Sequence, residues 1–277
     1  MRSFATAVFL LLLAESAVAA VYLKGDRQPK EAGGFSNQTA VKQRAKTGDW
    51  YLAVDLVGSV SSSTFSCLKS YGVAIVFTRI YGPSNGGGQT DTTGVQNAIT
   101  AYNSGMTVEV FIEPAPSSSK SGGQQFNEAL NYATSQGLRI ERVWLIVHWP
   151  IDWSSSSYSN VNFIQSVMSA ANNADVQIGI YTNWYDWDQI TGSSTSLPAR
   201  VPLWYWNANG LGPKCASDAD FSDFFPFGNF RSATVKQYGL GEMICSTILN
   251  VNAHSGNGLT ATNSVDAEVV ARAQMKQ

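Results

Sequence analysis

Seven short runs rich in Val, Ile and aromatic residues, each closing on Gly, Pro or Asn, alternate with stretches whose apolar residues recur at helical spacing. No other feature limits the fold so strongly. The runs are WYLAVDLVG (50–58), VAIVFTRIYG (73–82), TVEVFIEPAP (107–116), RVWLIVHWP (142–150), VQIGIYTN (176–183), VPLWYWNANG (201–210) and ATVKQYG (233–239). Helices are predicted in VQNAITAYNSG (95–105), QQFNEALNYATSQG (124–137) and NVNFIQSVMSAANNA (160–174). A strand that returns through a helix to the next strand makes a parallel pair, so the order predicts an α/β chain closed as one (β/α) TIM-like barrel over 49–252. An open doubly wound sheet is the alternative, but no Gly-x-Gly-x-x-Gly follows the first run, so a dinucleotide cofactor has no support.

The ends of the chain read differently. Residues 1–19 pair an early Arg2 with an apolar run from Ala5 to Ala14 and a small-residue ending, the pattern of a secretory signal peptide. That run is shorter than the roughly 20 residues a membrane span needs, so no membrane anchor is expected. Residues 20–48 carry Lys24, Arg27, Lys30, Lys42, Arg44 and Lys46 without apolar periodicity, as a flexible basic linker would. Residues 253–277 form a polar tail, with a short helix predicted near its end. The expected product is secreted, extracellular or lumenal, and monomeric. Asn37-Gln38-Thr39 is a candidate N-glycosylation sequon.

A formal net charge of −2 argues against nucleic acid as a partner. Export makes a disulfide plausible, and three cysteines leave one over. Cys215 and Cys245, both in the last third among loop residues, are the candidate pair, with Cys67 free. The only histidines, His148 and His254, have no metal-ligand spacing, so no metal is expected and a metal-dependent deacetylase or amidase ranks low.

In a parallel barrel the chemistry sits at the C-terminal strand ends. Those ends offer Asp55, Arg79, Tyr81, Glu113, His148, Trp149, Tyr181, Asn183, Trp204, Trp206, Asn207, Gln237 and Tyr238. Aromatic faces stack on sugar rings and planar amides bond to hydroxyls, so the set suits a carbohydrate cleft, although several aromatics can equally fill the barrel mouth. The candidate substrate-binding residues are Arg79, Tyr81, Tyr181, Asn183, Trp204, Trp206, Asn207 and Gln237.

AVDLVG, FTRIYG followed by GGGQTD, VFIEPAP, VWLIVHWP, IGIYTNWYDW, LWYWNANG and VKQYG followed by ILNVN, in this order, resemble glycoside hydrolase family 25, the Chalaropsis-type lysozymes, and within it the invertebrate, nematode-type lysozyme-like proteins. The resemblance spans about Trp50 to Asn252. It implies a barrel that hydrolyses the β-1,4 link between N-acetylmuramic acid and N-acetylglucosamine in bacterial peptidoglycan. It also implies acidic residues on the first strand, an Asp-x-Glu pair on the fourth and a late Asp. Asp55 matches the first; Ile146-Val147-His148 stands at the pair, and Asn250 at the late Asp. Members often carry a Cys where this chain has Ala115, which puts a Cys67 disulfide in doubt.

Glycoside cleavage uses two carboxyls, one giving a proton to the leaving oxygen and one facing the developing oxocarbenium ion. Ile146 does neither, and a protonated His148 would add positive charge beside a cationic transition state. Glu113 can face Asp55 as a substitute pair or be tied to Arg79 as an ion pair; Asp55, Glu113 and His148 are therefore the candidate catalytic residues. The expectation is a lysozyme-like protein acting on peptidoglycan in innate defence or digestion, with hydrolysis lost or impaired. A non-catalytic, lectin-like binder of peptidoglycan or chitin fragments is the alternative.

Overall fold

The computed structural model describes residues 50–84, 87–198, 200–256 and 263–265. The expected signal peptide, basic linker, Asn37 sequon and C-terminal helix lie outside the described residues.

The elements run β1 (Tyr51–Leu56), α1 (Ser62–Tyr71), β2 (Ile75–Ser84), β3 (Gly87–Thr90), α2 (Thr92–Asn103), β4 (Thr107–Ile112), α3 (Gly122–Ser135), β5 (Leu138–Arg139) and β6 (Arg142–Ile146). After a 3-10 turn (Pro150–Asp152) come α4 (Ser157–Asn173), β7 (Gln177–Thr182), α5 (Trp184–Thr191), β8 (Leu203–Trp206), β9 (Val235–Ile244), β10 (Thr247–His254) and β11 (Ser264–Val265). Each α-helix starts at a polar side chain that accepts a hydrogen bond from a backbone N–H of the first turn: Ser61, Asp91, Ser121, Ser156 and Asn183 in chain order. These caps satisfy donors that the helix itself leaves open.

The main sheet has nine strands, and pairing of β1 with β2 closes it into a ring of eight, with β3 attached to β2 as an antiparallel hairpin outside the ring. All seven expected strands form. The eighth, β10, lies in ILNVN and runs antiparallel to both β9 and β1, so the barrel is mixed rather than wholly parallel. Its tight connection to β9 places Cys245 and Ser246 at φ 54° and 60°, the left-handed pair that a two-residue hairpin turn requires.

Alternation along each strand divides the apolar residues into two layers. Ala53, Ile75, Phe77, Phe111, Trp144, Ile146, Tyr181, Trp204 and Val235 fill the barrel, while a larger set lies between barrel and helices. The barrel floor also holds charge: Glu109 accepts from Arg142 and, at 3.1 Å, from the Trp144 indole. Trp144 has room because Gly179 lies opposite; a Cβ there would come within 2.4 Å of the ring.

The disulfide joins Cys67 to Cys245, with Cα atoms 5.9 Å apart, and Cys215 is the free thiol. The expected Cys215–Cys245 pair is thus incorrect. It relied on closeness along the chain, whereas barrel closure sets the β9–β10 turn beside α1.

Candidate functional site

The barrel mouth is built from two clusters, one around Asp55 and one around Glu113. Asp55 is carried by β1, whose neighbour β10 sets Asn250 directly opposite it. Residues two apart on a strand share a face, so Asn250 and Asn252 both turn inward. Asn252 and Gln237 each donate to Oδ1 of Asp55 at 2.7 Å, and Asn250 donates to Oδ2 at 2.8 Å. Tyr181 donates its hydroxyl to Gln237 at 2.7 Å and the Trp204 indole donates to Asn252 at 2.8 Å, which orients both amides. Burial pushes the Asp55 carboxyl above its usual range; the three amide donors pull the other way without cancelling it.

Glu113 follows the last residue of β4 and accepts from Arg79 at 2.8 Å; Arg79 also donates to Asp91, the cap of α2, at 2.9 Å. The other Glu113 oxygen lies 3.9 Å from Nε2 of His148. Burial alone would raise the Glu113 carboxyl, but His148 and Arg79 outweigh it and hold it below the usual range. His148 stands edge-on to Tyr181, ring centroids 5.5 Å apart, and its carbonyl accepts the Trp153 indole N–H. Ile146, His148, Glu113, Ile151, Asp152 and Trp153 line much of one cleft of about 260 Å³. The Asp152 carboxyl is raised by partial burial and by the charge of Glu113, against the opposing pull of His148.

The structure divides the remaining candidates. Gln237 and Tyr181 belong to the Asp55 cluster, and Arg79 to the Glu113 cluster. Trp206 is half-buried and donates to the buried Asp186 at 3.0 Å. Asn183 caps α5, and Asn207 is turned to Asp223 at 2.6 Å. Two assignments to the sugar surface fail. Trp204 is buried inside the barrel, packed on Phe77 at 4.4 Å, and offers no face to a ligand. Tyr81 is displaced by a register shift between Arg79 and Tyr81, and its hydroxyl reaches Glu128 of α3 outside the barrel.

Sequence reasoning missed Asn252, although the alternation of Asn250 and Asn252 in ILNVN signals a shared face. It also missed Trp184 and Tyr185, exposed at 66% and 48% on the first turn of α5, their rings 5.9 Å apart and nearly perpendicular.

Chemically, the mouth has a buried carboxyl surrounded by amides, a carboxylate fixed by an arginine, and the Asp152 carboxyl in the same cleft. A carboxylate held below its usual range stays ionised near neutral pH and has no proton to give. No group of three or more His, Cys, Asp or Glu residues suited to a metal ion occurs among the described residues.

A closed mixed barrel with acidic, amide and aromatic residues gathered at one end defines the class, a (β/α) barrel with a polar cleft at its mouth. The family model described as Lysozyme-like protein 1 matches residues 46–238. Lysozyme-like protein 1 of Caenorhabditis elegans is 41% identical over 198 residues, covering 72% of this chain and 66% of the relative. Probable GH family 25 lysozyme 2 of Dictyostelium discoideum is 31% identical over 186 residues, covering 67% of this chain and 82% of the relative. Among solved structures, the bacterial lysozyme from Streptomyces coelicolor superposes with a TM-score of 0.58 at 20% identity, covering 78% of this chain and 96% of that one, which supports the fold. The chain belongs to the glycoside hydrolase family 25 lysozyme-like proteins, in their nematode branch.

Proposed function

We propose that this protein recognises bacterial peptidoglycan in its barrel mouth and hydrolyses it slowly or not at all, as a secreted monomer serving innate defence or digestion. The observation that carries the reading is the end of β6. Where the family resemblance places an Asp-x-Glu pair, the cleft is lined by Ile146 and His148. Glu113, a carboxylate in the same cleft, is committed to Arg79. Loss of a general acid commonly lowers the rate by about 10²–10⁴-fold, and loss of its partner lowers it further.

A lectin-like role, binding peptidoglycan or chitin fragments without turnover, is favoured specifically by the exposed Trp184 and Tyr185 on the first turn of α5, just past the C-terminal end of β7. Mass spectrometry of soluble muropeptides released from peptidoglycan tests both readings, comparing the natural protein with an Ile146→Asp/His148→Glu variant. The expected result is product from the variant and little or none from the natural protein. Rapid release by the natural protein of fragments ending in N-acetylmuramic acid would refute the loss of hydrolysis.

A further inference from the structure

The barrel floor, at the opposite end from the mouth, holds a second cavity of about 330 Å³. It is formed where β6, β7, β8 and β9 begin, and its lining includes Arg142, Arg200, Arg231, Gln177, Ser232 and Thr234. No Asp or Glu lines it. Arg142 forms the cavity's inner wall and is itself balanced by Glu109. Arg200 and Arg231 are exposed at the rim, and neither has an ion pair or hydrogen bond among the described residues. Two arginines without a charged partner among the described residues therefore line one hollow, together with Gln177, Ser232 and Thr234, in a chain whose formal net charge is −2.

The rim is also braced. The Asn229 carboxamide donates to the carbonyls of Thr195 and Leu197, tying the segment before Arg200 to the segment that carries Arg231. Thr234 donates its backbone N–H to Leu203 at 2.7 Å, fixing the start of β9 to β8 just inside the rim. A guanidinium fork matches the oxygens of a tetrahedral oxyanion in pairs, and here the contacts fix backbone near the two arginines while leaving their forks free to engage a ligand.

We propose that this floor cavity binds a phosphate-type oxyanion through Arg200 and Arg231, with Gln177, Ser232 and Thr234 supplying neutral hydrogen bonds. The site stands apart from the mouth and does not depend on what the mouth binds.

The test is calorimetric titration of the full chain with inorganic phosphate, at ionic strength held constant with sodium chloride. Arg200→Gln/Arg231→Gln and Lys214→Gln serve as variants, the latter removing an exposed charge outside the cavity; circular dichroism checks that each folds. Saturable binding is expected, weakened at least about tenfold in the double arginine variant and unchanged in Lys214→Gln. No saturable binding, an unchanged double variant, or an equal loss in Lys214→Gln would overturn the proposal. A linear polyphosphate distinguishes the source of the anion. Tighter binding than inorganic phosphate that disappears in the double variant indicates a polymer-borne group, and equal affinity indicates the free ion.

Discussion

Glu113 shows how one residue's role depends on its neighbours. Its place after VFI gives the alternation that turns it toward the mouth, so its location is legible in TVEVFIEP. Whether it faces a carboxyl or an arginine is decided by β2, which pairs alongside and presents Arg79 at 2.8 Å. The consequence for stability has a definite sign. Because the folded carboxyl is held below the ordinary value of 4.5, its ionised form stabilises the fold above that value, and the contribution is lost as pH falls through the folded pKa. Glu113→Gln should therefore destabilise by about 1–2 kcal/mol at pH 7, from the weakened charge-assisted bond to Arg79. Urea unfolding at a series of pH values should show the gap to the natural protein closing below pH 4.5. A gap that persists undiminished in acid would mean that the ion pair contributes nothing. Asp55 behaves oppositely, since burial raises its carboxyl and its ionisation weighs against the fold as pH rises.

At the scale of elements, the strands were readable because a barrel strand is buried on both sides and so appears as a short, nearly continuous apolar run. β1, with every residue after Tyr51 buried, is an example. β10 was not singled out as a strand: two of the five residues in ILNVN are asparagines, and only the fold shows that buried Asn252 and half-buried Asn250 are held there by Asp55. Tyr81 was misplaced because a one-residue shift in β2 moves a side chain to the other face, and nothing in FTRIYG announces it. Packing between neighbouring strands offers a direct test. The Trp144 ring occupies the space beside Gly179 that a Cβ would need, 2.4 Å away. Gly179→Ala should destabilise by about 1–3 kcal/mol through overpacking. Thermal unfolding would register the loss, and the near-ultraviolet circular dichroism of the buried indole should change with it. An unaltered melting temperature would show that β6 and β7 can separate freely.

For the molecule as a whole, closure is the decisive event. β1 lies between β2 and β10, so the start and end of the barrel become neighbours, and Cys67 meets Cys245 across 178 residues of sequence. A crosslink over so long a loop restricts the unfolded chain strongly. Cys67→Ser/Cys245→Ser should lose on the order of 2–5 kcal/mol, while Cys215→Ser should stay within about 0.5 kcal/mol of the natural protein. Denaturant midpoints under non-reducing conditions check this, and equal midpoints for all three would contradict the closure role. By itself the sequence determined the alternating architecture, the family and the absence of carboxyls at Ile146 and His148, because these depend on local periodicity and on which side chains exist. Only the tertiary structure decided the disulfide, the amides around Asp55, the arginine on Glu113 and the arginine-lined floor. Each joins residues far apart in the chain, and their meeting depends on strand order, register and ring closure, which no local stretch encodes.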